Sequence, residues 1–332
     1  MSRAMTWVEA HPTEDLLAIG TEDGEVMLWG RGGVRQRLSH ESFVVNVRWS
    51  PDGQRLVVAE QCGRLSLYDA GGGRRATIET GHETLYGTAF HGSGAWFVSG
   101  GVVGKARVWH VKDSFVEAYC IPAAKAPAVR AVGFAGDTLL LGFEDGYFEA
   151  WVDQGQDWVA GGEVFGSGPL ASMAMHPQRD VVVFGGGRGS MAAVSTARWE
   201  TVEIWRGEPP RPIAVNQIAF APDGEHFVAA CSDAAARLFR WCESVGSMLG
   251  TPFHHRSPQP EWAPSMIVSS ACFDRARPRV YTAHFDGTVQ VWDVSTWPRR
   301  VLTLRLDGAS WELQTEDGRR ERGSTTLWEE LV

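Results

Sequence analysis

The stretch HFDGTVQVWDV, His284–Val294, pairs an Asp286-Gly287 turn with an alternating run that ends on Trp292. Asp and Gly favour tight turns, and β-branched residues at every second position mark a half-buried strand. One such strand decides little, so its recurrence is the question. Six other runs end the same way: GEVMLW at Trp29, GRLSLY at Tyr68, GKARVW at Trp109, GYFEAW at Trp151, ETVEIW at Trp205 and AAARLF at Phe239. Five residues before the aromatic stands Gly24, Gly63, Gly104, Gly146 or Gly287, with Glu200 and Ala234 as the departures. The residue before that is Asp23, Asp145, Asp233 or Asp286 in four copies.

A second landmark holds the same register. Pro12, Pro51, Gly92, Pro222 and Arg275 each precede their aromatic by 17 residues. They fall in turns such as HPTED, SPDGQ and APDGE. The fourth copy, FAGDT, is one or two residues short. In the fifth, Pro177 precedes Trp205 by 28 residues, which places an insertion of 11 residues at 188–198, inside VVVFGGGRGSMAAV. Each unit otherwise divides into four short strands with turn signals between them, as in VVNVRWS, RLVVAE, RLSLYD and RRATIE. Four strands recurring about every 40 residues predict a β-propeller blade.

The run HFDGTVQVWDV, its weaker versions TEDGEVMLWG and FEDGYFEAWV, and the Gly81–His82 pair of TGHETLYGTAF resemble the WD-repeat β-propeller family. The resemblance covers about residues 5–306. It implies an all-β, seven-bladed propeller of four-stranded antiparallel blades, at about 5–40, 44–80, 84–121, 127–164, 169–212, 214–254 and 265–306. It also implies a buried network in which turn Asp, Gly-His histidine, Ser or Thr and the Trp bond one another. That network carries over in part to blade 7, with Asp286 and Trp292, and the positions of Asp23, Asp145 and Asp233 correspond. Trp29, His82, Trp109, Trp151 and Trp205 are the other structural repeat residues. The tail, 307–332, reads as a clasp, a separate hairpin or a docking segment.

Composition narrows the function. With 44% hydrophobic and 21% charged residues the chain falls in the globular range. Neither a signal-peptide core nor an apolar run near the ~20 residues of a membrane span is present. A net charge of −9 opposes general phosphate-backbone binding. Cys62, Cys120, Cys231, Cys242 and Cys272 are scattered and without a C-x-x-C pair, which fits a reducing cytoplasm. Arg outnumbers Lys among the 31 basic residues, as a GC-rich bacterial genome would produce.

The site candidates are weighed against that fold. Gly187-x-Gly189-x-x-Ala192 fits a dinucleotide fingerprint, but the helix and parallel strand that the motif needs have no room, and its flanks belong to blade 5. His11, His91 and His176 occupy equivalent first turns of non-adjacent blades and read as turn histidines. No catalytic triad or metal motif supports hydrolysis, and Glu329-Glu330 reads as a solvated tail cluster. No cofactor, metal or small-molecule substrate is expected. The expectation is a non-catalytic scaffold, a subunit of a multiprotein complex, that binds a protein or peptide. Its contact residues would be Arg188, Trp199, His254, His255, Arg256 and Trp262, on the face that carries the second-to-third-strand loops and the inter-blade connections. The alternative is a metal-dependent hydrolase or lactonase with its site in the channel.

Overall fold

Alternating apolar runs broken by Pro, Asp and Gly can satisfy their backbone groups only by pairing with their neighbours in sequence. The computed structural model describes residues 3–102, 105–122, 127–152, 157–164, 168–206, 213–241, 250–254, 267–296, 298–307, 310–323 and 325–332. It contains seven antiparallel sheets, each built from consecutive strands. The blades span 5–39, 44–79, 85–122, 129–163, 170–206, 215–254 and 268–307, and the seventh sheet runs on to six strands. The chain is a seven-bladed β-propeller.

Each sheet buries both faces against its neighbours, so the core is a set of inter-blade layers. Trp109 packs with Phe97 and with Leu65 and Leu67 of the preceding blade, and Trp292 packs with Val228 and Leu238 in the same way. The third-strand aromatic stands opposite a second-strand residue, as Leu17 faces Trp29 and Val280 faces Trp292.

Blade 5 corrects the sequence reading. Its third strand is Ser190–Ser195, and the strand that ends near Trp205, Thr201–Arg206, is its fourth. Val182 faces Val194, so Val194 holds the aromatic position, 17 residues after Pro177. Nothing is inserted: Gly189 makes the turn that Gly24 makes in blade 1, with φ of 81° against 83°. A Cβ at Gly189 would come 2.7 Å from the Ile213 carbonyl oxygen, so glycine is required there. Trp199 repairs the missing aromatic. It sits in the third-to-fourth-strand turn, with φ of 60°, and stacks on Phe148 of blade 4 at 6.0 Å. Trp205 instead packs against Phe239 of blade 6, with the Arg237 guanidinium over its ring.

The buried networks differ from the implied one. In blade 3, Trp109 Nε1 donates to Ser99 Oγ at 3.0 Å, and Ser99 meets His82 Nε2 at 3.3 Å. In blade 7, Trp292 Nε1 donates to Thr282 Oγ1, whose partner is His284 from the same strand. In blade 2, His40 bridges Glu60 and Tyr68, and Arg74 donates to the Tyr68 hydroxyl. Burial would raise the Glu60 carboxyl, but the His40 contact and the Glu41 amide outweigh it and hold the pKa below the usual range. The aspartates serve their own turns. Asp286 accepts from Thr288, Asp145 from the Tyr147 amide and Asp23 from Thr21, while Asp233 pairs with Arg237. Trp151 donates to Glu149. Asp23 and Asp145 are exposed, whereas Asp233 and Asp286 are partly buried.

Inner strands do not pair across blades, and side chains cover their edges. Glu9 accepts from the Trp49 amide, Asn46 from Thr88, Ser172 from the Ile218 amide and Gln217 from the Ala271 amide. Ser270 does the same for Val8, which joins blade 7 to blade 1. A β-bulge between the first two strands recurs at the same place in all seven blades.

The tail clasps that junction. Ser310–Thr315 adds a fifth strand to blade 7, Arg320–Arg322 adds a sixth, and the helix Thr326–Leu331 follows. Trp29 of blade 1 meets Trp311 edge-on at 4.9 Å and Trp328 at 5.4 Å, and Trp328 stacks on Tyr281 of blade 7. Arg279 donates to the Val332 carbonyl oxygen.

Three outcomes follow from this packing. Trp328→Ala is expected to lower the unfolding free energy by roughly 3–5 kcal/mol, the cost of emptying an aromatic site; urea titration measures it, and an unchanged midpoint would remove the helix from the clasp. Trp199→Ala should cost about 2–4 kcal/mol by the same titration, since its ring fills a core layer. Burial, reinforced by the Arg107 charge, lowers the His82 pKa from 6.5 to about 4. The unfolded chain therefore takes up a proton between those values that the folded chain refuses, and stability is full above pH 6.5 and falls as pH drops towards 4. His82→Gln should flatten that part of the stability profile by up to ~3 kcal/mol; parallel profiles for the two proteins would show that His82 is not the group responsible.

Candidate functional site

A strand-and-turn repeat gives the ring two unlike faces. One carries the second-to-third-strand turns and the inter-blade connections. The other carries the first-to-second and third-to-fourth-strand turns. Arg188 is exposed on the connection face, in the turn of blade 5, with Gly168 against its side chain. Trp199 lies in a turn of the opposite face and is partly buried, so the two residues do not form one surface. The sequence reading joined them because it counted a blade strand as a loop. His254 ends the fourth strand of blade 6. Its side chain, and His255, Arg256 and Trp262, lie outside the described residues.

On the turn face, the first-strand histidines tie blades together in pairs. His11 Nδ1 accepts from the Glu14 amide, and Nε2 meets the Gly53 carbonyl of blade 2 at 2.9 Å. His91 accepts from Ser93 and faces Asp137 of blade 4 at 3.2 Å. His176 accepts from the Gln178 amide and packs against Gly224 of blade 6. Burial and the Arg179 charge lower the His176 pKa, which keeps the ring neutral as an acceptor requires. The three are structural turn residues, as the sequence implied, and each reaches a residue of the next blade.

The same face opens into the central channel. All seven inner strands line a cavity of about 720 Å³ there. Two residue positions shape it. The strand residue opposite the second-strand core position is Trp49, Phe90, Phe134, Met175, Phe220 and Phe273 in blades 2 to 7, and Ala10 in blade 1. These side chains continue the aromatic layers inward, as in the run Phe220, Phe227 and Phe239, with centroids 5.2 and 4.9 Å apart. One residue earlier stand Ala89, Gly133, Ala174, Ala219 and Cys272, all small, which leaves the mouth open.

Blades 1 and 2 place charge at that earlier position instead, and the charges are spent on each other. Arg48 reaches Glu9 at 3.0 Å, donates to the Thr88 carbonyl at 3.1 Å and lies over the Trp7 ring at 4.5 Å. Glu9 also accepts from the Trp49 amide and the Trp7 indole. Burial pushes the Cys272 thiol up, which leaves it protonated and a poor nucleophile. The mouth is thus a recess of mixed apolar and polar lining with one satisfied ion pair in its wall. In sequence, a small residue followed by an aromatic ends the inner strands of blades 3, 4, 6 and 7, but nothing in that pattern shows that the strands converge.

Comparison with known proteins agrees with the architecture. Residues 5–85 match the family described as anaphase-promoting complex subunit 4 WD40 domain, and residues 199–240 and 261–293 match the WD domain, G-beta repeat. No curated protein sequence matches the chain. Among solved structures, U3-55K is 15% identical over 86% of this chain and 89% of its own, with a TM-score of 0.73. The WD40 repeats of RRP9 give 15%, 86%, 88% and 0.73. The Cps50 (Swd1) β-propeller domain from Myceliophteria thermophila gives 17%, 88%, 97% and 0.74. The chain is a seven-bladed β-propeller, and in its repeats and these matches it is similar to the WD-repeat family.

Proposed function

We propose that the protein is a non-catalytic scaffold that holds a protein or peptide partner, as a subunit of a multiprotein assembly. The observation that carries this reading is the channel mouth: a recess walled by all seven inner strands, in which Glu9 and Arg48 satisfy each other. Such a recess buries a partner's side chains at little ordering cost. The match of blades 1 and 2 to a domain named for a complex subunit supports the same reading. The acidic net charge argues for protein rather than nucleic acid as the partner. The scattered cysteines and the arginine bias support a cytoplasmic setting in a GC-rich bacterium.

A channel hydrolase needs free acids or metal ligands that converge on a substrate. Glu9, the carboxylate that reaches the mouth, is held by Arg48, Trp7 and the Trp49 amide. The expected outcome of native affinity purification from the source organism is a stoichiometric protein partner that survives moderate salt. Recovery of the chain alone, together with bound metal by elemental analysis and a melting shift with EDTA, would replace the scaffold with the enzyme.

A further inference from the structure

The two ends of the channel differ in what they leave unpaired. At the connection-face end, bulge residues reach across to their neighbours. Ser269 Oγ donates to the Met5 carbonyl, Asn216 Nδ2 donates to the Val268 carbonyl and Arg130 lies over the Tyr86 ring at 3.9 Å. At the turn-face end, the mouth is rimmed by Phe134, Met173, Met175 and Phe220, all partly exposed.

The mouth does not end at the channel. A second recess of about 400 Å³ runs outward between blades 6 and 7, past His226, Leu238, Pro278 and Val294. The two share Ala221, Pro222, Phe273 and Arg275. Charges along this path are tied to the fold, with one exception. Asp223 accepts from the Glu225 amide, Asp274 from two amides and the Tyr281 hydroxyl, and Arg277 faces Asp15. Arg275 is exposed at the junction of the two recesses and makes no hydrogen bond or ion pair among the described residues. It stands where the other blades place Pro or Gly, so the turn does not require a guanidinium.

We infer that the turn-face mouth takes an extended peptide segment of a partner protein, with a large apolar side chain seated among the inner-strand aromatics and an Asp or Glu on Arg275. The chain of that segment leaves along the groove between blades 6 and 7. The aromatic wall supplies the buried area, and a guanidinium at a half-dry rim selects a carboxylate by charge-assisted hydrogen bonds. On a protein of net charge −9, one unpaired arginine beside an apolar recess is a local attraction against a repulsive background. It therefore positions an acidic residue rather than collecting acidic proteins at large. The assignment rests on the scaffold reading and adds to it the face, the groove and the chemistry of the segment.

The test pans a random heptapeptide phage library against the full chain and measures the enriched peptides by fluorescence polarisation. Enrichment of a large apolar residue with Asp or Glu within two positions is expected. Ala219→Arg narrows the mouth and should weaken binding at least tenfold. Arg275→Glu, on an exposed turn, should do the same and recover binding when the peptide acid is replaced by Lys. Unchanged melting temperatures show that both variants fold; if Ala219→Arg does not fold, Ala174→Arg takes its place. No enrichment, or peptides indifferent to both substitutions, overturns the inference. A native partner that binds wild type and both variants alike would leave the scaffold standing and dismiss the mouth as its site.

Discussion

Ring closure is the constraint on which the rest of the structure depends. Each blade presents two apolar faces, and six junctions are supplied by the next stretch of chain. The seventh must join residues more than 260 positions apart, as in the Val8–Ser270 hydrogen bonds. A contact of such separation is costly in chain entropy, and an open junction would expose the layers around Trp29 and Tyr281. The chain meets this cost twice. It repeats at the junction the same side-chain-to-amide bond that links other inner strands, and it covers the outer part of the seam with a tail whose two tryptophans converge on Trp29. Closure thus needs no exchanged strand, and every blade is made from continuous sequence.

Within blades, the geometry persists while its chemistry changes. The position eight residues before the third-strand aromatic is Gly101 in blade 3, His284 in blade 7 and Glu60 in blade 2. Gly101 makes room for the His82 ring from the preceding connection. His284 supplies the imidazole from the strand itself, and Glu60 recruits His40. A buried indole or phenol usually finds a partner, but its identity changes from blade to blade, and in blade 1 the Trp29 Nε1 has none among the described residues. That freedom is why single repeats resemble the family weakly while the resemblance is carried by the set of seven.

The fold was legible because turn residues and strand aromatics recur at fixed offsets, and those offsets are set by blade geometry. The one failure has a physical cause. Blade 5 replaced its third-strand aromatic with Val194 and moved an indole to Trp199, so a ruler anchored on aromatics slipped by one strand and created a loop. Gly189 kept the offset from Pro177 and could have corrected it, since backbone conformation is harder to replace than a ring. The binding surface was less legible. Loop length pointed to the connection face, whereas the recess is made by inner-strand residues whose convergence around an axis has no linear signature. For the turn aspartates, a shared offset shows a shared backbone shape, and only the three-dimensional neighbours decide whether a carboxylate is buried.

The contrast between the two channel ends follows from the same strand pattern. Inner strands begin with a bulge, and a bulge turns an extra side chain towards the axis. Where that residue is polar, as at Ser269 and Asn216, it bonds a neighbour and draws that end together. In blades 3 to 7 the strands then finish on a small residue and a large apolar one, which keeps the other end wide. An apolar surface open to water is unfavourable for a protein acting alone, and five blades of differing sequence, 3 to 7, each place a small residue and a large apolar one at these two positions. The Glu9–Arg48 pair sharpens the point. It interrupts the small-residue pattern on one side only, fills that side with groups that need no ligand, and leaves the small residues to the wall formed by blades 3 to 7.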